Sequence, residues 1–247
     1  MREWNKMKNK RKKALLFVLI ITLIMALAMS TMHYIFGYNY ENSEMVKVLI
    51  YFEIIMSMLS IFMYKKLFSI QKLFNIRLSF WFLPLIILII ITLVVFFING
   101  DFTGKIPMVS LILVTTLLVG VSEEVVFRGI VLETFLQKGG IVTAILVSAI
   151  LFSLFHEVNI FGGSSIGEVI NQMIGVFLGG IVYACLSINL KSFIPLIIYH
   201  CLWDFLILSN EIVSANIEVF IFIIGTLEFI ILIPIFIYTV IKFNKGA

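Results

Sequence analysis

Charge is scarce in this 247-residue chain: Asp, Glu, Lys and Arg make up 13% of it, against 62% hydrophobic residues and a mean hydropathy of +1.14. A water-facing surface needs roughly twice that share of charged side chains, which excludes a soluble domain. Cysteine is rarer still. Cys185 and Cys201 lie in apolar runs without CxxC spacing, which excludes a disulfide framework and leaves them as small apolar groups at helix interfaces. The apolar runs lack the alternation of an outer-membrane barrel, and there is no phosphate-binding glycine loop, internal repeat or low-complexity linker.

Long hydrocarbon runs are what the chain has instead. A bilayer core takes roughly 20 helical residues to cross, and only helices satisfy their own backbone groups in lipid. Eight spans are predicted, at residues 14–36, 45–64, 80–99, 106–136, 141–156, 167–187, 193–209 and 219–241. The fold class is therefore all-α, a polytopic membrane helical bundle. The fourth run is too long for one straight crossing, so it is expected to tilt, to break near Gly120 or to continue along the interface.

Basic residues collect in the N-terminal tail (Arg2, Lys6, Lys8, Lys10, Arg11, Lys12, Lys13) and after even-numbered spans (Lys65, Lys66, Lys72, Arg77, Lys138, Lys191, Lys242, Lys245). The alternate loops hold Glu41, Glu44, Asp101, Glu157, Glu168, Glu211 and Glu218 against the single Lys105. The positive-inside rule then predicts both termini in the cytoplasm. The apolar stretch Ala14–Phe36 exceeds a signal-peptide core, so it is read as a retained span. Its basic flank suits anionic membrane lipid, and no basic patch interleaved with aromatics points to nucleic acid.

Polar chemistry is concentrated in a few places. A charge at mid-bilayer costs roughly 2.5–3.5 kcal/mol on insertion scales, so Glu123, Glu124 and Arg128 inside one apolar run call for a reason. Glu124 and Arg128 are i,i+4 and share a helix face, which leaves Glu123 facing elsewhere and available for proton transfer. Phe152-Ser153-Leu154-Phe155-His156 ends the fifth span in a histidine, and the seventh carries His200 and Asp204, again i,i+4. Histidines and carboxylates from several helices can bind a metal such as zinc or activate water without one, and the residue types leave both open. The zincin helix HExxH is excluded, because Ile160 stands where its second histidine would be. His33, at the end of the first span, is read as interfacial.

The order Glu-Glu-x-x-x-Arg at 123–128, Phe-x-x-x-His at 152–156 and His-x-x-x-Asp at 200–204 resembles the CPBP intramembrane proteases, which include the CAAX prenyl endopeptidases and bacteriocin-processing or immunity proteins. The resemblance spans roughly residues 106–209. The organisation expected from it is a basic tail (1–13), three spans without motifs (14–105), the protease core (106–209) and a last span with a short tail (210–247). It implies an endopeptidase acting on a membrane-associated protein or peptide. Glu123 would activate water with His156 as partner, His200 and Asp204 would steady the oxyanion, and Glu124 and Arg128 would form a supporting ion pair. Were a divalent metal used, Glu123, His156, His200 and Asp204 would be its ligands. The family more often shows Asn or Asp at the position of Asp204. An ionised Asp cannot donate to an oxyanion, so here it would orient His200, stay protonated or bind metal.

Two rivals belong to other classes: a non-catalytic immunity or scaffold protein of the same fold, and a transporter with a proton relay, which would be expected to show repeat symmetry. The composition, rich in Ile, Phe, Lys and Asn, resembles that of a bacterial protein from an AT-rich genome, so a bacterial plasma membrane is expected, and the resemblance to the family then implies pheromone or bacteriocin-leader processing, or self-immunity. One geometric demand follows from the spans. If the fifth starts at Ile141, His156 falls far from the depth of His200 unless that span tilts or enters deeply through Gly139-Gly140. The following Phe161-Gly162-Gly163-Ser164-Ser165 is flexible by composition, a lid or a plain loop tip.

Overall fold

The computed structural model describes residues 2–70, 75–137 and 140–245, with side chains from residue 9 onward. Lys72, Lys138 and Gly139, and the side chains of Arg2, Lys6 and Lys8, lie outside the described residues. The structure is helical, in the order α1 (Arg2–Ser30), α2 (Val46–Leu67), α3 (Leu83–Asn99), α4 (Ile106–Glu124), α5 (Glu133–Leu136), α6 (Ile141–Phe155), α7 (Ile166–Leu190), α8 (Ile194–Val213) and α9 (Glu218–Lys245). A π-helix, Val125–Leu132, joins α4 to α5 without interruption, and α6 continues as a 3₁₀ turn, His156–Gly162. Among the described residues seven helical stretches are long and apolar enough to cross a membrane, and α3, at 17 residues, is a shorter apolar helix. The chain is an integral membrane protein.

The outward faces are as apolar as the interior. Leu15, Leu19, Leu23 and Leu27 of α1 and Phe222, Phe229, Ile230 and Ile233 of α9 are exposed, as a hydrocarbon solvent permits. Lipid supplies no hydrophobic drive between helices, so close backbone approach and buried polar contacts must hold the bundle. Gly120 shows the first device. A Cβ there would lie 2.7 Å from the Ile197 carbonyl oxygen, so the glycine marks the tight crossing of α4 on α8 and not a break in the helix. Gly180 brings α7 against Ala149 of α6 in the same way, its Cβ position 3.2 Å from the Ala149 Cα.

Polar contacts fasten the two ends. At one, the Arg77 N–H donates to Leu190 O, Lys242 Nζ donates to Asn189 Oδ1, and Arg11 lies over the Phe135 ring. At the other, the Ser43 N–H donates to Glu211, the Asp101 N–H to Val213 O, and the Tyr40 N–H to Gly162 O. The segment 161–165 is accordingly not slack. Phe161 and Gly162 belong to the 3₁₀ turn, His33 packs on Gly163, and Ser165 caps α7 in a box with Glu168.

Candidate active site

Glu123 and Glu124 end the regular part of α4, just where the winding loosens into the π-helix that carries Arg128. A π-turn costs hydrogen-bond quality and is commonly found where a side chain has to be aimed. Here Ser148 of α6 compensates by donating to the Phe127 carbonyl at 2.9 Å. Arg128 is wholly buried. It lies 3.2 Å from Glu124 Oε1 and its guanidinium sits over the Phe152 ring at 4.2 Å and the Tyr183 ring at 5.2 Å. Burial of an arginine among aromatic faces beside a carboxylate keeps its charge matched in a low-dielectric surround.

His200, on α8, binds the same carboxylate. Its Nδ1 is 3.0 Å from Glu124 Oε1, and since a paired, ionised carboxylate can only accept, Nδ1 carries hydrogen. Its Nε2 faces two further carboxylates, Asp204 Oδ2 at 3.4 Å and Glu123 Oε2 at 3.7 Å. The role of orienting the ring, which the sequence offered to Asp204, is thus also held by Glu124, from the side of the ring remote from Asp204.

His156 stands at the junction of α6 and the 3₁₀ turn. Its Nδ1 is 3.0 Å from the Phe152 carbonyl, which can only accept, so Nδ1–H is the donor and Nε2 is left as an acceptor. The structure brings the two histidines to one place: α6 starts at Ile141 as read, the helical segment runs on to Gly162 as a 22-residue span, and His156 lines the same cavity as His200. Phe152 lies between the two histidines, with ring centroids 5.1 Å from His156 and 6.2 Å from His200.

Glu123, His156, His200 and Asp204 all line one cavity of about 720 Å³. Glu123 is 5% exposed, and its Oε2 has no hydrogen-bond partner among the described residues. Two acids that the sequence reading passed over belong to the same neighbourhood. Glu53 of α2 is fully buried and accepts from Ser122 Oγ at 2.7 Å, immediately before Glu123, so the N-terminal spans are not mere surroundings. Glu228 of α9 lines the cavity and accepts from Tyr199 Oη at 2.9 Å. The signal for both was available, since each is a lone acid in an apolar run and carries the cost that drew attention to Glu123.

Residues 105–206 match the family model of the Rce1-like type II CAAX prenyl endopeptidases. This is a protease family. The match covers the stretch on which the motif resemblance rests, and all three motifs of the Rce1-like segment face one another across the cavity. No curated protein matches the chain.

The side chains as placed do not form a metal cage. Among the described residues no group of three or more His, Cys, Asp or Glu is arranged to hold an ion. One nitrogen of each histidine is already committed, His200 Nδ1 to Glu124 and His156 Nδ1 to Phe152 O.

Proposed function

We propose that the Rce1-like segment is an intramembrane endopeptidase, in which Glu123 and His156 activate water against a peptide bond of a membrane-associated protein or peptide. The observation that carries this reading is the placement of a buried carboxylate, Glu123, whose Oε2 makes no hydrogen bond among the described residues and lies 3.7 Å from the Nε2 of a histidine whose other nitrogen is clamped. A scaffold has no use for that arrangement, because each buried polar atom left without a partner costs stability.

In the reaction Glu123 accepts the proton of a water whose oxygen adds to the scissile carbonyl, and the acceptor Nε2 of His156 aligns that water. The carbonyl oxygen becomes an oxyanion. His200, protonated on both nitrogens, donates its Nε2–H to it, and the positive charge of the ring is balanced by Glu124 at Nδ1 and by Asp204 beside Nε2. Asp204 itself only accepts. The proton held by Glu123 passes to the departing amine as the C–N bond breaks, leaving a carboxylate and an amine. Water exclusion by the apolar cavity wall strengthens each of these interactions.

A CAAX-type protein is the substrate that the family description supports, and leader peptides or bacteriocin and pheromone precursors are those that the motif resemblance supports for a bacterial chain. The basic end of the bundle, with Arg11, Arg77, Lys191 and Lys242, is proposed to face the cytoplasm of a bacterial cell, which places both termini there. A divalent metal is the other way the same groups can work, as a Lewis acid on the carbonyl. The test is cleavage of a peptide library in detergent, read by mass spectrometry, for the wild type and Glu123→Gln, with and without chelator. Cleavage lost in the variant supports the reading, and the chelator lane decides on metal. Cleavage that survives Glu123→Gln overturns it.

A further inference from the structure

Glu228 is a carboxylate that the three motifs leave out. It stands on α9, outside the matched segment and about 15 Å along the helix from Glu218, well inside the span. Tyr199 is buried and donates its hydroxyl to Glu228 Oε1 at 2.9 Å, which gives the carboxylate one fixed position. Oε2 makes no hydrogen bond among the described residues and points across to α7. A Cβ at Gly179 would meet that oxygen alone, at 3.8 Å, and a Cβ at Gly175, one turn earlier, would meet nothing within 4 Å. The glycines keep the wall beside the carboxylate clear. On the third side Gly225, one turn before Glu228, approaches the ring of Trp203, which also lines the cavity.

A carboxylate has room for about four hydrogen bonds, and Tyr199 supplies one. Keeping such a group in hydrocarbon is costly, and an uncharged Gln would serve Tyr199 equally well as an acceptor. The cavity carries Glu41, Glu123, Asp204 and Glu228 but, among the described residues that line it, no lysine or arginine. Its field therefore favours a cation, all the more at low dielectric. An aromatic ring in the same cavity suits the same guest, and Trp203 lines it, while a long apolar stem can lie along the wall that the glycines keep clear.

We propose that Glu228 is a specificity-determining residue, which receives a lysine or arginine side chain of the substrate peptide in the space between Gly179 and Trp203. This rests on reading the cavity as a peptide site, though not on its catalytic chemistry.

The test uses the full chain in nanodiscs and two series of capped, fluorescently labelled apolar peptides, identical except that one position, moved along the peptide, is lysine or norleucine. Fluorescence polarisation should show the wild type binding at least one lysine peptide roughly tenfold or more tighter than its norleucine twin. Glu228→Gln, which can still accept from Tyr199, should lose this preference and bind the two peptides alike. Gly179→Leu, which fills the space but leaves the charge, should weaken the lysine peptide. No lysine preference at any position in the wild type, or one that survives in Glu228→Gln, overturns the proposal. The proteolytic reading is judged separately. Lysine-selective binding without cleavage counts against the chemistry and leaves Glu228 its role, whereas cleavage lost in Glu123→Gln without lysine preference does the reverse.

Discussion

A single oxygen, Oε1 of Glu124, is shared by Arg128 at 3.2 Å and by His200 Nδ1 at 3.0 Å. A structural ion pair and the orientation of a site histidine are therefore one construction. Removing one partner of a buried pair leaves an uncompensated charge and costs about 3–5 kcal/mol, whereas removing both together costs much less. Arg128→Met and Glu124→Gln should each lower thermal stability in detergent. The double variant should be more stable than the sum of the two losses, but still inactive, because a Gln can hold His200 Nδ1–H without balancing the charge of the ring. Strict additivity would mean that the pair is not coupled.

Glu123→Gln and His156→Ala should each reduce peptide cleavage by roughly 10²–10⁴-fold. Membrane abundance, followed by immunoblotting, should stay at the wild-type level. Parallel loss of abundance in both variants would assign these residues to a structural network.

Gly120→Ala places a methyl group 2.7 Å from the Ile197 carbonyl and has to push α4 away from α8. Overpacking of this kind costs about 1–3 kcal/mol. Since Glu123 lies one turn further along α4 and His200 one turn further along α8, cleavage should fall along with the melting temperature. Gly175→Ala on α7, where the added methyl meets nothing within 4 Å, is the control and should leave the melting temperature in place.

The loop before α4 gives a prediction on pH. The Lys105 ammonium and the Thr103 N–H and hydroxyl hold Asp101 down at about 2, below the usual carboxylate value. With the folded value depressed, its contribution is complete above the unfolded value of about 4 and is lost as the pH falls through about 2. Melting temperatures recorded across that window should decline less steeply for Asp101→Asn than for the wild type. At neutral pH the wild type should keep a small excess of stability over Asp101→Asn, small because the pair is exposed to solvent, and that excess is what the acid window removes. An unchanged acid slope would dismiss the role of Asp101.

Much of this architecture could be read from the sequence because hydrocarbon is an unambiguous signal. Each of the eight predicted spans has its helix, and even the compact Leu83–Asn99 was expected within 80–99. The three motifs were legible for a second reason: Glu124 with Arg128 and His200 with Asp204 are pairs within one helix, visible at i,i+4. Glu53 and Glu228 have no such partner on their own helices. Ser122 and Tyr199 reach them from other helices, and no spacing rule reports a contact of that kind. The clamp of Glu124 on His200 was hidden for the same reason, and the continuation of α6 through His156 as a 3₁₀ turn has no marker in residue type.

The π-winding of Val125–Leu132 takes up about one residue more than the same length of α-helix would. Loss of one residue from that stretch would let it relax to ordinary α-helix while the turns on either side keep close to their present orientation. The same loss from the regular part of α4 would turn Glu123 and Glu124 by about 100° relative to the turns before them. A single-residue deletion, moved along the span, therefore reports on winding in a way that no point substitution can.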